Sequence, residues 1–165
     1  YEQLVEQFDV VADQKPEARL VIAGAASSAS ADLTEAIGRM RHPDRVVRLG
    51  HRSDLPALLH LASVVCCSSL REGAAGALIE AMACERPIVS VQLDGLDGVL
   101  VDGENALVVQ PSGLADAIVR VLDDSDLAAR LGRGGRRSFE HRFTVDRSAE
   151  RLAEIYRSLS RGTAG

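Results

Sequence analysis

Tryptophan is absent from this 165-residue chain, and aromatic residues of every kind make up only 3% of it. Single-stranded nucleic acid is held by aromatic platforms in a basic groove. With a formal net charge of −5 and no dense Lys/Arg block in the first two thirds, the chain offers neither, which excludes nucleic acid as a partner. Its three cysteines, Cys66, Cys67 and Cys84, sit in apolar segments without a C-x-x-C pair or neighbouring histidine ligands. A disulfide framework and a cysteine metal site are excluded, and the three read as buried thiols. Long apolar runs are lacking too: none approaches the ~20 residues that span a bilayer. Tyr1-Glu2-Gln3 opens no secretory signal, so the expected location is the cytoplasm.

What is present is aliphatic. Hydrophobic residues make up 46% of the chain and charged ones 26%, enough for an ordered domain whose core is Leu, Val, Ile and Ala. Near-continuous aliphatic strands of this kind belong to layered α/β folds with a parallel sheet.

Leu4, Val5, Phe8, Val11 and Ala12 recur at helical spacing, and Pro16 marks the turn into a strand at Arg19-Leu20-Val21-Ile22-Ala23-Gly24. A small-residue loop, Ala25 to Ser30, leads to a helix through about Met40. There follow a strand over Arg45 to Leu49, the turn Gly50-His51-Arg52, a helix from Ser53, and a strand over Ser63 to Cys67. A loop and helix over 68–84 precede the strand Pro87 to Val91. Turn chemistry at Asp94 to Gly98 and Asp102 to Asn105 precedes the strand Ala106 to Val109. From Ser112 the pattern is helical, ending in a tail helix over 144–160 with Leu152, Ile155, Tyr156 and Leu159 on one stripe. Alternation of strand and helix predicts one Rossmann-like, doubly wound parallel sheet with a helical C-terminal tail, a single domain over 1–165. A sheet of this type ordinarily opens on a strand, so the opening helix leads us to expect a fragment of a longer protein.

The densest chemistry lies in Ser69-Leu70-Arg71-Glu72-Gly73-Ala74-Ala75-Gly76 and the helix carrying Glu80. Two glutamates with seven residues between them, joined by a small-residue turn at the end of a buried strand, stand where open α/β sheets bind ligands. The spacing alone is a weak signal and more often marks two solvated side chains. Arg130, Arg133, Arg136, Arg137, Arg142 and Arg147 form a basic cluster; contact with phosphates or an anionic membrane face stays open beside a solvated helix face. His42, His60 and His141 have no convincing partners.

Leu20 to Gly24, Arg48 to Leu55, Ser69 to Gly73 with Glu80 to Ala83, Pro87 to Ser90 and Asp102 to Val109 together resemble the C-terminal domain of retaining glycosyltransferases of the GT-B group, family 4. The resemblance covers nearly the whole chain. It implies one half of a two-domain enzyme. This half would bind a nucleoside diphosphate sugar as donor substrate, with no separate cofactor and no metal, and a missing N-terminal domain would bind the hydroxyl acceptor. Glu72 matches the residue that approaches donor sugar hydroxyls, and Glu80 the residue that grips the nucleotide ribose, since a carboxylate accepts two hydroxyl hydrogen bonds at once. Gly73, Ala74, Ala75 and Gly76 match the turn that lets backbone N–H groups approach phosphate and sugar oxygens. Gly50, His51 and Arg52 match the turn that holds the nucleobase, and Ser69 a small polar nucleotide-binding position.

The same resemblance implies that the phosphate-binding Arg and Lys, the first strand and an activity-linked histidine lie upstream. No catalytic residue is therefore expected within these 165 residues, and the isolated chain is expected to be inactive. Peripheral association of the full-length enzyme with the inner face of the membrane is a further expectation. Ala-Ala-Gly at 74–76 and Gly98 depart from the family pattern. Two rivals stay open: an epimerase or hydrolase of nucleotide sugars, and a non-catalytic scaffold module.

Overall fold

A computed structural model describes residues 2–25, 30–69, 76–92 and 98–162. Helix α1, Glu2–Gln14, buries Leu4, Val5, Phe8, Val11 and Ala12. Strand β1, Leu20–Ala23, follows, then α2 at Ser30–Gly38, a 3-10 turn at Pro43–Arg45 and β2 at Val46–Gly50. Next come α3, Leu55–Leu61, β3, Val65–Cys67, α4, Gly76–Ala83, and β4, Ile88–Val91. Strand β5, Leu107–Val109, leads through a 3-10 turn into α5, Leu114–Asp123, α6, Ser125–Arg142, and α7, Val145–Gly162.

Every strand pairing is parallel, as the alternation predicts. The hydrogen bonding divides the five described strands into two sheets, however: β1 with β2, and β3, β4 and β5 in that order. Helices cover two faces. On one, α1 packs between α2 and α5; on the other, α4 and α6 pack together. Twenty-one buried residues from α1, α3, α4, β4, the 99–107 segment, α5 and α6 form one cluster, which Leu20 and Val46 also touch. Val5, Leu33 and Ala36 form a second, smaller one over β1. The chain is an α/β Rossmann-like domain.

Element boundaries shift from expectation for local reasons. Helix α2 stops at Gly38 rather than Met40. Helix α3 starts at Leu55 rather than Ser53, with Pro56 in its first turn, where a missing N–H costs nothing. Asp54 stands at its N-cap yet makes no capping hydrogen bond, because its carboxylate is taken by Arg52. The cysteines are free and half-buried. Burial, aided by neighbouring Cys67, pushes the Cys66 thiol up to about 12. No described helix is long and apolar enough to cross a membrane.

Candidate functional site

A helix returns the chain after each of β1, β2 and β3, so the strands of both sheets run the same way and their carboxyl ends share one edge. With α2 packed beside α1 and α4 beside α6 on the other face, right-handed crossovers carry β1 to β2 in one direction and β3 to β4 and β5 in the other. That reversal, between β1 and β3, is the switch point where doubly wound sheets form a ligand crevice beyond the strand ends.

Gly50 closes β2 at a φ of 66°, a left-handed conformation that costs glycine least. Its carbonyl accepts a hydrogen bond of 2.8 Å from the Gly24 N–H, tying together the turns after β1 and β2. Gly24 was not among the expected site residues; its position directly after an aliphatic strand was the available signal. His51 and Arg52 are exposed. Arg52 donates through Nε and Nη2 to the two Asp54 carboxylate oxygens at 2.8 and 2.6 Å. That hydrogen bonding holds the Asp54 carboxyl below its ordinary value and raises Arg52. The guanidinium is thus fixed beside the turn rather than extended over the strand ends.

Ser69 lies half-buried beyond the end of β3. Glu72, Gly73, Ala74 and Ala75 fall outside the described residues. Gly76 is the exposed first residue of α4, and a Cβ built on it meets nothing within 4 Å among the described residues. Glycine there is not imposed by protein packing. Helix α4 buries Leu78, Ala81 and Met82, so the 100° step per residue turns Glu80 to the opposite, exposed face. Gly50, His51 and Arg52 therefore belong to the outer strand of one sheet, and Ser69, Gly76 and Glu80 to the first crossover of the other.

Behind α4 and β4 stands a support that the sequence reading missed. Buried Asn105 accepts from the Val101 N–H at 2.7 Å and donates to the Val99 carbonyl at 2.9 Å and to Ser138 Oγ, on α6, at 3.0 Å. The Arg130 guanidinium donates to the Gly103 carbonyl at 2.7 Å, Arg136 to the Ala83 carbonyl at 2.6 Å, and Arg142 to the Gly98 carbonyl. Half of the basic cluster thus donates to carbonyls of α4 and of the 98–105 segment, while all six arginines stay exposed, as a solvated helix face requires. Gly132 and Gly134 let α6 come so near that an added Cβ would stand 2.4 Å from the Glu85 carbonyl oxygen and 2.0 Å from that of Glu104. An Asn closing an Asp-Gly-x-Asn turn between two apolar runs was the visible signal for this support.

Alpha-D-kanosaminyltransferase of Streptomyces kanamyceticus is 30% identical over 146 residues, 86% of this chain and 38% of its own length. The chain spans about two fifths of the length of the curated relatives it matches. Among solved structures, Anabaena HepE in complex with UDP-glucose superposes with a TM-score of 0.83 at 24% identity, over 94% of this chain and 44% of that one. The C-terminal domain of a group 1 family glycosyl transferase, LpcC of Francisella tularensis, does so with 0.78 at 19% identity, over 87% of this chain and 79% of that one. The fold is that of a GT-B glycosyltransferase C-terminal domain. Residues 1–124, which hold all five strands and the turns at their carboxyl edge, match the family described as glycosyl transferases group 1, and the chain belongs to that family.

Proposed function

We propose that the protein containing this domain transfers a sugar from a nucleoside diphosphate sugar to a hydroxyl acceptor, with retention at the anomeric carbon, and that this domain holds the donor. The observation that carries the reading is the switch point between β1 and β3, flanked by the Gly24–Gly50 turn on one side and by Ser69 and α4 on the other. Anabaena HepE, which shares the fold, was solved with UDP-glucose. In this reading Glu80 accepts hydrogen bonds from the ribose hydroxyls. Glu72 accepts them from the sugar, and the N–H groups opening α4 at Gly76 face the diphosphate, where the helix dipole favours negative charge. Gly73, Ala74 and Ala75 carry no bulk to obstruct that approach, while Gly50, His51, Arg52 and Ser69 border the nucleoside. As the diphosphate departs, prepositioned N–H groups and cations offset its growing charge. The acceptor binds a separate N-terminal domain, the phosphate-binding Arg and Lys lie just upstream of α1, and the reaction takes place in the cytoplasm or at the inner membrane face.

The test is calorimetric titration of the full-length protein with UDP, GDP, ADP and their common sugar conjugates, in parallel with Glu80→Ala. Selective binding that weakens at least about tenfold in the variant is the expected result, equivalent to about 1.4 kcal/mol. Glu72→Ala is expected to abolish transfer while the thermal transition stays in place. Near-normal turnover in that variant would overturn the donor assignment, and failure of the full-length protein to bind any of the nucleotides would overturn the function.

A further inference from the structure

We propose that Asp54 is a positioning residue for the nucleoside side of the donor site. Acting through Arg52, it aims one guanidinium nitrogen at a carbonyl oxygen of the base, and so favours uracil or guanine over adenine. This rests on the donor reading above and deepens it, by naming the class of base and a residue to which the resemblance assigns no role.

The start of α3 leaves the Asp54 carboxylate available. An N-cap side chain ordinarily accepts from the N–H of the second or third helical residue. The second residue here is Pro56, which has no N–H. The N–H of the third, Ala57, donates at 3.0 Å to the backbone carbonyl of Asp54 itself. The Asp54 side chain makes no capping hydrogen bond because neither of the usual donors calls for one.

The carboxylate turns back to Arg52 instead, whose Nε and Nη2 donate to its two oxygens at 2.8 and 2.6 Å. Two parallel bonds to one carboxylate fix the plane of a guanidinium as well as its place. Residues two apart do not face each other along a helix, so the fork depends on the turn that Gly50 makes at a φ of 66°. The pairs Arg136–Glu140 and Arg147–Glu150, by contrast, follow from helical spacing. Stability does not account for the fork: its side chains are 43% and 47% exposed, and exposed ion pairs contribute little.

Fixing Nε and Nη2 singles out Nη1, which has no hydrogen bond to any described residue. The held guanidinium stands beside the turn whose Gly50 carbonyl is tied to the Gly24 N–H, the turn that the donor reading gives to the nucleoside. A guanidinium can only donate, so the atom it meets on a base must accept. Uracil and guanine carry exocyclic carbonyl oxygens, whereas adenine carries an amino group, itself a donor. No Phe, Tyr or Trp occurs between residues 9 and 138, so none of these rings lines the turns after the strands. Discrimination among bases there falls to hydrogen bonding.

Calorimetric titration of the full-length protein with UDP, GDP and ADP, as wild type, Asp54→Ser and Arg52→Lys, tests the assignment. Serine keeps an N-cap oxygen but cannot grip a guanidinium in a fork, and lysine keeps the charge without the plane. The wild type is expected to bind UDP or GDP at least about tenfold more tightly than ADP. Each substitution is expected to weaken that binding at least about fivefold, with ADP affinity and the thermal transition unchanged. The double variant is expected to lose no more than either single one, as partners in one unit do. Unaltered UDP and GDP affinity in both variants would overturn the proposal, as would a wild type that prefers ADP. An equal loss for all three nucleotides would place Arg52 at the diphosphate they share, and a lowered thermal transition in Asp54→Ser would make the pair structural; either ends it. A wild type that binds none of the three overturns the donor reading itself, so the two failures are told apart by whether the unaltered protein binds.

Discussion

Strands β1 and β4 are nearly interchangeable as sequences, Leu-Val-Ile-Ala against Ile-Val-Ser-Val, and they live in different surroundings. β4 is flanked by β3 and β5, covered by α5 on one face and α6 on the other, and wholly buried. β1 has one neighbour among the described strands, and over it lies a cluster of three buried residues. Composition decides that a strand can be central; its neighbours decide whether it is. The two halves also differ in how polar groups are used. Around β4 and β5 buried Asn105 and three exposed α6 arginines donate to carbonyls of α4 and of the 98–105 segment. Around β1 and β2 they lie at the surface, where Asp9 and Asp13 of α1 grip Arg41 and His42.

The comparison makes the β3–β5 half the main store of stability. Leu131, 0% exposed against the large cluster, and Leu33, 6% exposed in the small one, form a matched pair. Leu131→Ala is expected to cost about 4 kcal/mol and Leu33→Ala about 2 kcal/mol, because a surface-near cavity relaxes and the core cavity does not. Urea unfolding of both variants measures this, and equal costs would break the comparison. Next in size is Gly134→Ala. Alanine ordinarily stabilises a helix interior over glycine, but here the Cβ would meet the Glu104 backbone 2.0 Å away, so a net loss of about 3 kcal/mol is expected. A gain in thermal stability would mean that α6 does not rest on that turn. Asn105→Ala strands the Val101 N–H and the Val99 carbonyl and is expected to cost about 2 kcal/mol. Its signature is faster amide exchange confined to the 98–106 segment, with β1 and β2 unaffected.

Much of this architecture could be read from the chain because it is local. Aliphatic runs bounded by Gly and Pro mark strands, as at Leu20–Ala23 and Ile88–Val91, and the stripe Leu114, Ala117, Ile118 and Val121 marks α5. What could not be read is non-local. The division into two sheets depends on which strands meet, and periodicity carries no such information. The α6 arginines read correctly as an exposed face, but their acceptors, Gly103, Ala83 and Gly98, lie 27 to 53 positions away, beyond the reach of a helical pattern. Gly132, Gly134 and Gly135 weaken the helical signal, and only the Glu85 and Glu104 backbones pressed against the first two and Met82 against the third explain their presence. Of the candidate site, the Gly50 turn, Ser69 and the start of α4 stand at the strand ends as expected, while Glu72 to Ala75 fall outside the described residues.

The smallest effect separates the two halves by pH. Partial burial alone would raise the Asp9 carboxyl, but the Arg41 and His42 backbone N–H groups, joined by the Arg41 guanidinium, outweigh it and hold it below its ordinary value near 3.8. Asp13 is lowered as well, chiefly by its hydrogen bond with the His42 imidazole and then by Arg41. A carboxyl that binds its proton less readily when folded contributes its full stabilisation above its unfolded pKa and loses it as pH falls through the folded value. The clasp between α1 and the segment after α2 is therefore intact above about pH 4 and released progressively below it. Asp9→Asn removes the charge and leaves an amide facing two N–H donors, with an expected cost of about 1 kcal/mol at neutral pH that vanishes in acid. Because α1 is the element that bridges the two clusters, acid should speed amide exchange in α2 and β2 before it reaches β4. Simultaneous loss of protection in both halves would show that the small cluster and the large one unfold as a single unit.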